Sequence, residues 1–254
     1  MDTFEIKYIF RLPHGRTETF DLRLDPQTLE LLNKPAKDLP FWARLDFQQC
    51  PHCPLSEPQY PFCPVAANLV DVVKRFESIR SYDEMDVEVV TSERHVISHT
   101  TAQRGISSLL GVLFPASGCP HTAFFRPMVR FHLPLASEQD TIFRAGGMYL
   151  LAQYFRQKQG LGGELNFDYL DRIYSNMNLL NMNVVERLRH ADRTESSVNA
   201  VVLLDVFTQT LPMVIDSQLA EIRYLFAPYL ENSSPTQEEI HSKLFQLSGG
   251  INTT

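Results

Sequence analysis

Phe4-Glu5-Ile6-Lys7-Tyr8-Ile9-Phe10, the turn Pro13-His14-Gly15 and Phe20-Asp21-Leu22-Arg23-Leu24 open the chain. Phe4, Ile6, Tyr8 and Phe10 alternate with other residues, the period of a half-buried strand, and so do Phe20, Leu22 and Leu24. Two such runs around a Pro-His-Gly turn read as a β-hairpin. A second hairpin is read from Met85, Val87 and Val89, a turn near Ser92-Glu93, and His95, Ile97 and His99.

Elsewhere the apolar period is three and four. Pro64 to Arg80 reads as a helix burying Val65, Leu69, Val72, Val73 and Phe76. Thr101 to Phe114 follows, with Ile106, Leu109, Leu110 and Leu113 inward and Pro115 at its end. Asp25-Pro26, a cap followed by proline, predicts a short helix over Pro26 to Asn33. A short helix is also expected from Pro120 to Arg126, ended by Pro127. Ser137 caps a helix of about twenty residues with Ile142, Met148, Leu151 and Phe155 inward. Gly160 to Gly163 breaks it, and Phe167, Leu170, Ile173, Tyr174, Met177, Leu180, Val184 and Leu188 mark the next.

Thr194 or Ser196 starts another helix, with Val198, Val201, Val202, Leu204 and Val206 up to Leu211-Pro212. Further helices are expected over Val214 to Ala227 and from Ser234-Pro235, before a frayed tail at Gly249-Gly250. Strands are thus confined to the first part of the chain. The fold class is α+β: an N-terminal antiparallel sheet of two hairpins packed by helices, then an all-helical C-terminal half. The expected division is an α+β domain over residues 1–134 and a helical bundle over 135–254 packed on it, with one continuous domain as the alternative.

Composition narrows the function. The chain has 254 residues, 44% hydrophobic and 21% charged, with a formal net charge of −7. No run of Lys or Arg supplies a nucleic-acid or anionic-membrane footprint. No apolar run approaches the roughly 18 residues that span a bilayer, and Met1-Asp2-Thr3-Phe4-Glu5 opens acidic where a secretory leader opens basic. The expectation is a cytoplasmic protein, in whose reducing compartment thiols are metal ligands or free core groups rather than disulfides.

Those thiols carry the strongest signal. Gln49-Cys50-Pro51-His52-Cys53-Pro54 and Phe62-Cys63-Pro64 lie in a proline-rich segment, and Cys119 lies in Ser117-Gly118-Cys119-Pro120-His121. All four cysteines precede a proline, a coincidence on the order of 10⁻⁵ by composition alone. Cys-x-x-Cys lets two thiolates reach one ion from a tight turn. Proline suits the next position because its φ is preset and it leaves no N–H unpaired. Cys63 and Cys119 are expected as helix N-caps, where the positive helix end favours thiolate. Cys50, Cys53, Cys63 and Cys119 are therefore the candidate metal ligands. Zinc in a closed Cys₄ site is the first expectation and a [4Fe–4S] cluster the alternative, because one pair plus two single cysteines departs from the paired zinc pattern. The plain alternative is four buried core cysteines. His52, His121 and His132 could replace a cysteine but are better read as surface or supporting residues. Cys50-Pro51-His52-Cys53 also resembles the motif of thiol–disulfide oxidoreductases of the thioredoxin fold, but Pro54, Pro58 and Pro61 prevent the helix that follows it there.

Other candidates are weaker. Arg126 and Arg130, with Arg104, could make an anion site; pairing with surface carboxylates is the plainer reading. His95 and His99 share one side of a strand and read as packed side chains. Gly160-Leu161-Gly162-Gly163 lacks the lysine and strand of a phosphate loop, and no catalytic signature is found.

The blocks Cys50-Pro51-His52-Cys53-Pro54-Leu55, Phe62-Cys63-Pro64, Ser107-Ser108-Leu109-Leu110-Gly111, Ser117-Gly118-Cys119-Pro120, Arg126-Pro127-Met128 and Arg130-Phe131-His132-Leu133-Pro134 look like an uncharacterised bacterial family, a domain of unknown function. That resemblance covers nearly the whole chain and implies no activity, only a bacterial, cytosolic setting. The function expected is a metal-binding protein whose Cys₄ site is structural or supports an interaction. The alternatives are an iron–sulfur protein for redox sensing or electron transfer, or a thiol–disulfide protein using Cys50 and Cys53. The C-terminal helices are the expected surface for a homodimer or protein partner.

Overall fold

Alternation in the first hundred residues is realised as one four-stranded antiparallel sheet. The computed structural model describes residues 3–191, 197–199, 201–202 and 219–230. Strands β1 (Phe4–Arg11), β2 (Thr17–Leu24), β3 (Glu84–Thr91) and β4 (His95–Thr101) stand in the order β2-β1-β3-β4. The register puts Tyr8 opposite Phe20 on one side and Val89 on the other. Ile6, Tyr8, Phe10, Phe20, Leu22, Leu24, Met85, Val87 and Val89 consequently share one buried face. The opposite face is wet. There Lys7 pairs with Asp21 (3.3 Å) and Arg11 with Glu88 (2.5 Å), while His95 contacts Glu88 and His99 contacts Asp86, both at 2.8 Å. The two histidines expected as packed are thus exposed partners of carboxylates.

Helices α1 (Pro64–Arg75) and α2 (Ala102–Ala116) cover the buried face. The apolar residues expected to face inward on each are buried. Phe10, Phe20 and Phe76 form an aromatic cluster with ring centroids 5.0–5.9 Å apart. Gly105 is the point of closest approach: a Cβ there would stand 2.9 Å from Val87 Cγ2 and 3.3 Å from Phe10 Cε1. Helix α3 (Arg126–Arg130) is short, α4 (Glu138–Lys158) begins with a capping box between Ser137 and Asp140, and α5 (Asp168–Arg189) meets α1 and the 3-10 turn Phe41–Ala43.

Local expectations fail where tertiary partners compete. Asp25 does cap a turn, its Oδ1 accepting from the N–H of Gln27 (2.9 Å) and Thr28 (2.7 Å). No helix over Pro26 to Asn33 follows. Leu29 turns to φ +57°, and Leu31 and Leu32 donate instead to the carbonyls of Ala116 (2.9 Å) and Arg23 (2.8 Å). A single turn is too short to resist that competition. Pro127 lies in the first turn of α3 rather than ending a helix, where its missing N–H costs nothing. Helix α1 stops at Arg75, short of Arg80. On α4 the inward face is Ile142, Ala145, Tyr149 and Gln153, so Leu151 and Phe155 are exposed, contrary to expectation.

The chain divides into two compact units, Met1–Val214 and Ile215–Thr254. Residues 197–199 and 201–202 are helical, as expected for the helix starting near Ser196. The rest of that helix, most of the helix over Val214 to Ala227, the helix from Ser234-Pro235 and the tail at Gly249-Gly250 lie outside the described residues. In the second unit a 3-10 turn, Arg223–Phe226, leads into the helix Ala227–Leu230. Among the described residues no helix is long and apolar enough to cross a membrane.

Gly105→Ala improves helix propensity yet places its methyl against the stiff, β-branched Val87. The expected outcome is a loss of about 1–3 kcal/mol in urea denaturation; a neutral or stabilising result would show that α2 is free to move off the sheet.

Candidate metal centre

Three separate segments deliver the four cysteines. The first is the turn in which the Cys53 N–H donates to the Cys50 carbonyl at 3.0 Å. It opens no helix, as its prolines predict. The second is the start of α1. Cys63 is its N-cap residue with Pro64 next, its N–H donates to the Ala43 carbonyl (2.9 Å) and its carbonyl accepts from Ala67 (2.9 Å). The third is the exit from α2. There Gly118 adopts φ +90°, which glycine alone adopts freely, and the Cys119 N–H donates to Ser117 Oγ (3.2 Å).

Cys119 is not the helix N-cap expected of it. A turn follows, locked by Thr122 Oγ1, which donates to the carbonyls of Phe114 (2.6 Å) and Cys119 (3.1 Å), and the next 3-10 helix starts at Ala123. The turn still favours thiolate by another route, because the backbone N–H groups of His121 and Thr122 are aimed at the Cys119 sulfur and oppose the effect of burial on it.

The four thiols are free, and Cys53, Cys63 and Cys119 each act electrostatically on Cys50. Burial pushes the Cys50 thiol up to about 12, and Cys63, Cys119 and Cys53 each add to that rise while Arg187 opposes it. Cys119 is pushed up to about 11, again by burial first, with further contributions from Cys63 and Cys53. Cys50 and Cys119 thus resist ionisation first because they are buried and then because other thiols lie near them. Among the described residues, however, no group of three or more His, Cys, Asp or Glu side chains is arranged to hold a metal ion as it stands.

Two of the three histidines support this site. His121 Nε2 donates to the His52 carbonyl at 2.9 Å, joining the Cys119 loop to the Cys50–Cys53 turn. The His52 and His121 rings lie 4.0 Å apart, and neither ring nitrogen of His52 has a hydrogen bond of ordinary geometry. Burial and then His121 push His52 below its usual value. His132 is committed elsewhere, to Tyr8. Arg126 and Arg130 pair with Glu30 (2.5 Å) and Glu93 (3.2 Å), so they form no shared anion site.

Arg187 was not nominated by its sequence context as a site residue. It is 2% exposed, on the inward face of α5 between Val184 and Leu188. Its Nη1 donates to the carbonyls of Trp42 (2.8 Å) and Arg44 (2.6 Å), and its Nη2 to Leu45 (3.1 Å). It holds the segment around the 3-10 turn whose Ala43 carbonyl positions Cys63, and its charge reaches Cys50. A charged residue at an apolar position of a periodic helix is the signal that points to it.

Arg187→Ala would leave three carbonyls, two of them in fully buried hydrogen bonds, without donors. The expected loss is about 3–5 kcal/mol in chemical denaturation. Arg187→Lys should recover only part, since one ammonium lacks the planar fork that spans three acceptors. Full recovery by lysine would reduce the residue to a point charge.

No curated protein and no solved structure matches the chain. The sequence model of one family, described as a domain of unknown function (DUF6901), matches residues 6–227. That span takes in the sheet, the thiol cluster and helices α1 to α5, and the chain belongs to this family.

Proposed function

We propose that this is a metal-binding protein in which Cys50, Cys53, Cys63 and Cys119 hold one ion, zinc first, in a site that ties the proline-rich segment to α1 and α2. The observation that carries the reading is that four free thiols from three separate segments, each followed by proline, lie near enough for the others to act on Cys50. The N–H groups at Cys119 and the buried Arg187 beside Cys50 supply what a thiolate set needs, directed dipoles and a nearby cation. Ligation requires the four sulfurs to close onto the ion. A [4Fe–4S] cluster uses the same donors and is the other occupant to test. A nucleophilic role for Cys50 is less well supported, because a reactive cysteine has a lowered pKa and burial pushes this one up.

The role is structural or interaction-supporting, in a cytoplasmic protein without a nucleic-acid partner, consistent with the net charge of −7. Phe143, Leu151, Tyr154 and Phe155 are each more than half exposed on α4, which supports a protein partner or a second copy on that helix.

Elemental analysis and absorbance of protein purified without oxygen test the occupant. One zinc per chain and no colour is expected. A broad band near ~400 nm indicates iron–sulfur instead. Neither metal, together with unchanged stability in Cys50→Ser and Cys119→Ser, would sink the reading.

The pH dependence separates the two states. In metal-free protein Cys50 and Cys119 are pushed up to about 12 and about 11, above their ordinary 9.0. Their contribution is present below pH 9 and is lost as pH rises toward 11–12. A bound cation depresses the thiols instead, so metal-loaded protein should lose its ion and its added stability as pH falls. Thermal midpoints of chelator-treated and zinc-loaded protein should therefore diverge with opposite slopes; parallel profiles would contradict thiolate ligation.

A further inference from the structure

A cavity of about 390 Å³ lies between α2, the segment leading into α4, and α5. Its size falls in the range of small-molecule sites. Met128, Leu133, Leu135 and Met177 contribute an apolar wall. Two guanidinium groups face the same space. Arg144 is anchored through Nη2 to the carbonyls of Met128 (2.9 Å) and Phe131 (3.0 Å), and its Nε and Nη1 make no hydrogen bond to a described residue. Arg104 is exposed and forms no ion pair with a described residue.

The opposing charges are accounted for. Glu138 lines the cavity and supplies the one carboxylate of its wall. Asp140 faces Arg144 but caps Ser137, accepting from its N–H at 2.9 Å and its hydroxyl at 2.6 Å. Arg94 adds positive potential at Arg144, and buried Tyr174 stays neutral because burial raises it. His132, also lining, adds no charge, since burial and then Arg144 push it down to about 3. Its ring is held by Tyr8 (2.5 Å), whose hydroxyl also meets Ser108 Oγ (2.9 Å). The cavity is an apolar chamber with two guanidinium groups and one carboxylate in its wall.

We infer that this cavity binds a small apolar monocarboxylate, its carboxylate held between Arg104 and Arg144 and its apolar body against Met128, Leu133, Leu135 and Met177. A single negative charge balances two guanidinium groups offset by one carboxylate. A planar carboxylate also matches the guanidinium fork. A more highly charged phosphate would meet too few cations, and a neutral lipid would leave the arginines unused. The site does not depend on the thiol reading.

Gly111 offers a clean test. It lines the cavity on α2, and a Cβ there meets nothing within 4 Å. Gly111→Leu therefore starts from an open Cβ position in the chamber wall, takes up volume there and replaces a poor helix former by a good one. The full chain is titrated calorimetrically with unbranched carboxylates from butanoate to dodecanoate, and with octanol. Saturable one-to-one binding is expected, strengthening with chain length until the chamber is full. Octanol should bind at least tenfold more weakly than octanoate. Arg104→Ala should weaken octanoate at least tenfold and leave octanol unchanged. Gly111→Leu should abolish octanoate binding with an unchanged or higher thermal midpoint. The inference is overturned by no saturable binding across the series, by equal affinity for octanoate and octanol, or by octanoate binding retained in a folded Gly111→Leu variant.

Discussion

The carbonyls of Trp42, Arg44 and Leu45 belong to a segment with little regular structure to receive their hydrogen bonds, and the buried Arg187 guanidinium supplies the donors. An irregular stretch can be buried only when its backbone polar groups are satisfied. Here one side chain from the far end of α5 satisfies three acceptors. Two further links close the segment: the Leu45 N–H donates to the Pro61 carbonyl (3.0 Å), and Phe47 packs between Phe41 and His190. Position of the Cys50–Cys53 turn, and of Cys63 beyond it, follows from that clamp.

Helices α2 and α5 each serve both sites, which gives the molecule its economy. The C-terminal end of α2 carries the Phe114 carbonyl that locks the Cys119 turn through Thr122, while Ser107, Ser108 and Gly111 on the same helix line the cavity. Helix α5 presents Tyr174 and Met177 to the cavity and Arg187 to the thiol segment. Gly105 fixes α2 against Val87 and Phe10 on the sheet. A shift of α2 would therefore be felt at the sheet, the thiols and the cavity together, because packed interiors transmit displacement rather than absorb it.

Elements governed by periodicity were legible in the residues. Both hairpins, the buried faces of α1, α2 and α5 and the Ser137 cap follow from local patterns with one dominant solution. Features decided by distant partners were not. Asp25 announces a helix that Ala116 and Arg23 displace by offering backbone bonds from elsewhere in the chain. Apolar residues on several sides of α4 permit more than one inward face, and the choice falls to Ile142, Ala145 and Tyr149. The cysteines could be grouped by their shared Cys-Pro signature, yet the turn at Cys119 and the contribution of Arg187 depend on contacts no local window contains. The cavity had no signature at all, since its walls come from segments that share no motif.

Arg187 also bears on the charge state of the thiols. No described carboxylate forms an ion pair with it, and Asp46, paired with Arg44 at 3.0 Å, feels it only as the least of its influences. Three carbonyl dipoles stabilise the guanidinium, but they carry no net negative charge. With all four thiols protonated, Arg187 is therefore a buried cation with no ion-paired carboxylate among the described residues. With four thiolates around a divalent ion the centre carries two negative charges, and Arg187 offsets one of them. The desolvation that disfavours a lone buried cation and the desolvation that disfavours an anionic thiolate centre then partly cancel, because each group is the other's counter-charge. On the metal reading, an arginine where the helix period asks for an apolar residue is the electrostatic complement of the cysteines rather than a defect of the core.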